Sequence, residues 1–255
     1  LPHGHESTSE VIGTAGTVNT GAIDDLSAIA DFCAAQDLWF HVDGCIGAFL
    51  RLSPDHAPMV AGMERADSLA LDPHKWLHAP FEAGCAIVRD RARHRQTFTL
   101  HPEYLEVHPR GVAGAEFLFD YGIDLTRGFK ALKVWMALKE FGPARHGRQV
   151  AQAIGLARYL ADAVQAAPDM VLMAPQVINI ACYRYDPGGM DEAALKALNI
   201  EIMLRLQEEG IASPSDTILH GRHSLRVAAV NHRTRRADMD LLLRETRRIG
   251  QSLLA

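Results

Sequence analysis

The chain has 255 residues, 48% of them hydrophobic and 22% charged, a balance that excludes disorder as the main state and allows a sizeable buried core. With 26 basic and 31 acidic residues the formal charge is −5, which leaves no global positive field for a nucleic-acid backbone or an anionic membrane surface. The longest weakly polar stretch, Val171 to Tyr183, is interrupted by Pro175, Gln176 and Asn179 and is too short to cross a bilayer of roughly 30 Å as a helix.

Four cysteines, Cys33, Cys45, Cys85 and Cys182, lie far apart with no C-x-x-C pair. This spacing predicts reduced thiols in a cytoplasmic protein rather than a disulfide framework or a zinc knuckle. The first residues, Leu1 to Glu6, hold neither the basic start nor the apolar run of a secretory signal, and no initiating Met. The expectation is a chain that was processed or that lacks something upstream.

Val11 to Thr14 reads as the end of a buried strand. Behind Asp24, a candidate N-cap, Leu26, Ile29, Ala30 and Cys33 recur at helical spacing. Leu38 to Val42, Ser68 to Leu71 and Cys85 to Val88 are further strand candidates, and their near-continuous apolar runs predict a sheet covered on both faces. From Arg91 to Gly122 the periodicity is poor and Pro, Gly and His accumulate, so a long loop, a candidate lid, is expected.

Phe129, Leu132 and Met136 share a helical face that stops at Gly142-Pro143, and a further helix carries Val150, Ile154, Ala157 and Val164. A domain boundary is expected near residue 145, dividing the chain into 1–145 and 146–255. Beyond it come a strand (Val177 to Tyr183), a turn (Asp186 to Gly189) and a helix with Leu195, Leu198, Ile202 and Leu206 closed by Gly210. A strand (Leu225 to Val230) and a last helix (Met239 to Leu253) follow. The whole reads as α/β, with a small α+β domain at the end of the chain.

Two segments carry candidate chemistry: His41-Val42-Asp43-Gly44-Cys45 after one predicted strand and Asp72-Pro73-His74-Lys75-Trp76 after the next. Ligands of open α/β sheets gather at the carboxyl ends of strands. Asp43 and Lys75 could therefore bring a carboxylate and an amine to opposite sides of one ligand. Pyridoxal phosphate needs such a pair: a lysine amine condenses with its aldehyde, and a buried carboxylate keeps its pyridine nitrogen protonated. A lone Asp at a strand end is most often a cap and a lone Lys a solvated charge, so spacing alone leaves the two readings level. His41, Asp43, Asp72 and His74 also offer nitrogen and oxygen donors for a metal, a competing reading.

In order and spacing, Gly16-Thr17-Val18-Asn19-Thr20-Gly21-Ala22, His41-Val42-Asp43, Ala66-Asp67-Ser68 and Pro73-His74-Lys75-Trp76-Leu77 resemble the group II amino-acid decarboxylases. These depend on pyridoxal 5'-phosphate and include the aromatic-L-amino-acid decarboxylases. The resemblance implies a fold-type-I transferase-like architecture, with part of a large domain built on a mainly parallel sheet and a small C-terminal α+β domain. It implies Lys75 as the covalent lysine, Asp43 as partner of the pyridine nitrogen, and His74 and Thr17 beside the cofactor. Cys45 is a candidate ring contact, although a buried thiol is more often inert filler.

His101-Pro102-Glu103-Tyr104-Leu105 resembles the mobile catalytic loop of that family, and Tyr104 the tyrosine that protonates the carbanion after carbon dioxide leaves. Ile123 to Phe129 matches another recurrent stretch and makes Arg127 structural or cofactor-proximal. Gly128 stands where animal members carry a second arginine, Gly44-Cys45 where many carry two alanines, and Asp72 where many carry asparagine. Members are considerably longer, and the part without a counterpart here carries the histidine that stacks on the pyridine ring and the hydroxyl groups that bind phosphate. The implied protein is a homodimer acting on an L-amino acid, aromatic by preference, with no metal, nucleic-acid or membrane partner. The chain itself is either a fragment of that enzyme or a form with an incomplete site.

Overall fold

The computed structural model describes residues 9–99, 110, 111, 114 and 116–255. Strand β1 (Glu10–Thr14) pairs in parallel with β2 (Trp39–Asp43), and β2 in parallel with β3 (Ser68–Leu71). Thr14 stands opposite Asp43 and Asp43 opposite Ala70. The three parallel strands therefore finish level, and whatever follows each is delivered to the same end of the sheet. Strand β4 (Cys85–Val88) completes the order antiparallel to β3. Its direction follows from its connection: only the single turn α2 (Pro73–Trp76) lies between β3 and β4, too little for the crossover that a parallel return requires.

Side-chain alternation assigns the two faces. Phe40 and Val42 are fully buried against helix α1 (Leu26–Gln36), which contributes Leu26, Ala30 and Cys33 to the same cluster. The cap of α1 is Asp25, whose side chain accepts from the amide of Ala28; Asp24, the expected cap, instead accepts from the amide of Thr14 at 2.8 Å. Two adjacent aspartates compete for one capping role, and local sequence does not rank them. The sheet is more open than expected: Ile12, on the opposite face, is 55% exposed, and Ile87, registered with Leu69 on the edge strand, is 53% exposed. A strand's apolar character records its potential for burial, whereas the covering layer must come from elsewhere in the fold.

The stretch from Arg91 to Gly122, expected to be loop, begins with helix α3 (Arg91–Phe98). Asp90 caps it by accepting from the amide of Arg93. No residue of α3 is buried, so the helix has no apolar face and periodicity could not reveal it.

Helix α4 (Lys130–Ala166) breaks at Gly142, whose φ of 71° is left-handed, and restarts with Pro143. The first half carries the expected apolar face, but Phe129, Leu132 and Met136 are 76, 40 and 56% exposed. The second half places Val150, Ala153 and Ile154 in the first core and Leu156, Leu160 and Val164 in a second one.

That second core lies on an antiparallel sheet ordered β5 (Met170–Leu172), β6 (Ile180–Tyr185), β8 (Arg222–Ala228), β7 (Ser215–Leu219). Helices α5 (Glu192–Glu208) and α6 (Arg236–Leu254) supply Leu198, Ile202, Leu206, Leu242 and Ile249. Strands β5 and β7 had no sequence signal; three residues is too short for a period, and β7 alternates exposed with half-buried positions.

Gly147 marks the contact of α4 with the chain after β2, because a Cβ there would lie 2.0 Å from the carbonyl oxygen of Leu52. Alanine would gain about 1 kcal/mol in helix propensity, but the backbone it meets cannot rotate away, and overpacking of this kind costs about 1–3 kcal/mol or more. Gly147→Ala is expected to lower Tm by several degrees in thermal unfolding; an unchanged or raised Tm would show that the helix shifts freely.

Candidate active site

Asp72 leaves β3 in extended conformation and Pro73 occupies the first helical position, where its fixed φ and missing N–H are tolerated. Trp76, 1% exposed, anchors this turn in the core, so the residue before it, Lys75, is held at the sheet end. Although Asp72 stands at the N-cap position, its side chain makes no capping bond. Oδ2 instead meets Lys75 Nζ at 2.8 Å. The amide of Asp72 donates to the carbonyl of Cys45 at 3.2 Å, tying the lysine turn to the loop after β2.

Burial opposes the charge on Lys75, but hydrogen bonds with Asp72 and with the neighbouring Cys45 thiol outweigh it and raise the pKa above the ordinary lysine value. Burial likewise pushes the Cys45 thiol up, against the pull of Lys75, so Cys45 is not a ready thiolate.

Asp43 ends β2 with its backbone carbonyl accepting from Ala15 at 2.8 Å and its Oδ1 accepting from the amide of Cys45 at 3.2 Å. Asp43 and Lys75 thus converge through one connected backbone: the amide of Gly44 binds Ala70 and that of Asp72 binds Cys45. Thr17 lies at the same end, after β1. Its Oγ1 accepts from the amide of Ala22 at 3.0 Å and approaches Thr20 Oγ1 at 3.1 Å, closing the turn. Contacts distant in sequence seat that loop: Arg226 Nε donates to the carbonyl of Val18 at 2.9 Å, and Cys182 Sγ to that of Asn19 at 3.2 Å.

His74 Nδ1 is 2.8 Å from the carbonyl oxygen of Ala83 and 3.2 Å from its amide. One ring nitrogen cannot donate and accept together; the shorter contact assigns the proton to Nδ1 and leaves a lone pair on Nε2. Phe81 stacks edge-on against this ring, 4.9 Å between centroids. Arg127 donates to the carbonyl of Asp124, a local turn contact. His101 to Leu105, including Tyr104, lies outside the described residues.

The four groups of the metal reading point to separate partners: His41 bonds Ser68 Oγ at 2.7 Å, Asp43 the Cys45 amide, Asp72 Lys75, and His74 Ala83. Among the described residues no three His, Cys, Asp or Glu side chains gather as ligands. The donor set instead fits pyridoxal phosphate, with an amine for its aldehyde and a carboxylate for its ring nitrogen at adjoining strand ends. What the sequence reading did not anticipate is the Asp72–Lys75 ion pair. Its signal was present, since an acid three residues before a lysine on one helical turn can reach it.

Residues 7–186 match the model of the pyridoxal-dependent decarboxylase conserved domain. The chain is 34% identical over 244 residues to the aromatic-L-amino-acid decarboxylase of Bacillus atrophaeus, covering 95% of this chain and 51% of that protein. It is 30% identical over 222 residues to tryptophan decarboxylase 1 of Oryza sativa subsp. japonica, covering 86% and 43%. Its fold is similar to the crystal structure of Oryza sativa TDC with PLP and tryptamine, with a TM-score of 0.87, 26% identity, and coverage of 96% of this chain and 51% of that one. Mouse CSAD gives a TM-score of 0.85 at 26% identity, with 95% and 52% covered. The chain spans about half the length of these relatives. A family match over most of the chain, together with a fold that levels Asp43 and Lys75 at one sheet end, places it in the family of pyridoxal-dependent decarboxylases.

Proposed function

We propose that the complete protein removes carbon dioxide from an L-amino acid, aromatic by preference, with pyridoxal 5'-phosphate held by Lys75 and Asp43. The observation that carries this reading is the convergence of a carboxylate and an amine at the carboxyl ends of adjacent parallel strands, locked by the Gly44–Ala70 and Asp72–Cys45 backbone bonds. The bound cofactor supplies an electron sink for the pair left on the substrate's α-carbon.

Lys75 provides the amine for covalent attachment. Asp43 keeps the ring nitrogen protonated by opposite charge. His74, its Nδ1 committed to Ala83, offers Nε2 to the cofactor or substrate, while Thr17 and Cys45 border the site from the loops after β1 and β2. Tyr104 delivers the proton to the α-carbon once carbon dioxide has left. A cytoplasmic homodimer is the assembly we infer; the exposed Phe129 at the N-cap of α4 and the exposed Leu132, Trp135 and Met136 on that helix are suited to a subunit contact.

Borohydride reduction of the cofactor-saturated complete protein, followed by peptide mapping, should label Lys75. Label on another lysine, or none, would overturn the assignment. The aromatic preference is supported by the names of the relatives from Bacillus atrophaeus and rice. A substrate panel in which a dicarboxylic amino acid has the highest kcat/KM would refute it.

A further inference from the structure

We propose that Asp72 is a positioning residue for Lys75: its carboxylate holds the amine over the first turn of α2 and withholds it from an aldehyde until that ion pair opens. The inference rests on the reading of Lys75 as the cofactor lysine. Three observations support it.

First, the carboxylate has no backbone partner to compete with the lysine. Asp72 stands at the N-cap position of α2, where Pro73 has no N–H and the amides of His74 and Lys75 are bound to the carbonyls of Ala83 and Asp72, and its Oδ2 meets Nζ of Lys75 at 2.8 Å. Second, the geometry is imposed by the backbone. The Asp72 amide is bound to Cys45 and the Lys75 amide to the carbonyl of Asp72 at 2.9 Å, so the two side chains leave one rigid turn. Third, the pair is partly screened from water, its side chains 27% and 37% exposed, which preserves more of the attraction than a fully solvated pair keeps. The titratable groups around Nζ are Asp72 and Cys45, with Asp43 next to Cys45. The Asp72 carboxylate, which contacts Nζ, favours the ammonium form.

Joining an amine to the aldehyde of pyridoxal phosphate needs the lone pair on nitrogen. The ammonium must lose a proton, the carbon–nitrogen double bond forms, and the aldehyde oxygen departs as water. Asp72 therefore holds the nitrogen in its charged form at rest, and the proton that must leave goes to solvent once the ion pair opens.

The test reads the lysine itself in the cofactor-free complete protein. Amines are labelled with a brief pulse of acetic anhydride across a pH series, and peptides are quantified with exposed Lys196 as internal reference. In the parent, Lys75 should need a higher pH than Lys196 to react. Asp72→Asn keeps the side chain's shape without its charge. At neutral pH it should make Lys75 about three- to tenfold more reactive relative to Lys196, as loss of a neighbouring opposite charge requires. Asp72→Glu, which restores a carboxylate, should return the profile toward that of the parent. Equal profiles for Asp72→Asn and parent would overturn the proposal. Should the asparagine variant fail to fold, the parent profile still decides, because labelling of Lys75 at or below the pH of Lys196 contradicts a holding ion pair.

Borohydride mapping on the same preparations separates this inference from the functional reading. A cofactor adduct on a different lysine refutes the assignment of Lys75 whatever the labelling shows. An adduct on Lys75 with unchanged labelling refutes the role of Asp72 alone.

Discussion

Lys75→Ala in the complete protein is expected to abolish the reducible cofactor adduct and to lower amine formation at least about 10³-fold, the scale on which enzymes fall when the group that bonds covalently to its partner is removed. Alanine also strands Asp72, whose Oδ2 then lacks its partner at 2.8 Å, so a structural loss accompanies the chemical one. Lys75→Arg separates the two. Its guanidinium preserves a positive charge for Asp72, but it stays protonated and cannot condense with an aldehyde. Both variants should therefore lose the adduct, while arginine should retain more of the parent's Tm. Turnover by Lys75→Arg near the parent rate, measured as amine released, would remove Lys75 from the reaction.

Tyr104→Phe should lower amine production by about 10²- to 10⁴-fold, the usual contribution of a positioned proton donor, with cofactor binding nearly intact. The substitution removes one hydroxyl and nothing else, so a loss in turnover without a loss in cofactor affinity isolates proton delivery. Product analysis is the sharper measurement. When the donor is missing, the electron pair left by carbon dioxide persists and becomes open to oxidation, and the family resemblance implies an aldehyde in place of the amine. Amine at the parent rate with no aldehyde would show that another group donates the proton.

Lys75 is a residue that local sequence singled out, and the structure shows why some elements were accessible to reading and others were not. Strand β2 and helices α1 and α5 were legible because they bury residues at the period of the element itself, Phe40 and Val42 two apart and Leu195, Leu198, Ile202 and Leu206 three or four apart, whereas β3 and β4 were legible only as short apolar runs that the fold leaves half-buried or exposed. Helix α3 was not, since a helix that buries nothing leaves no periodic trace, and its only mark was the Asp90 cap.

The sequence by itself determined the family signature, the strand ends that carry Asp43 and Lys75, and the stop at Gly142-Pro143, all of which depend on a few neighbouring residues and their intrinsic backbone preferences. Only the tertiary structure decided that the helix beyond Gly142 serves two cores, and that Arg226 and Cys182 seat the Thr17 loop from more than 160 residues away. It likewise decided that the Asp72 carboxylate meets Lys75. Each of these is a choice between partners that local chemistry permits equally, and the choice is made by where the rest of the chain places the competing donors and acceptors.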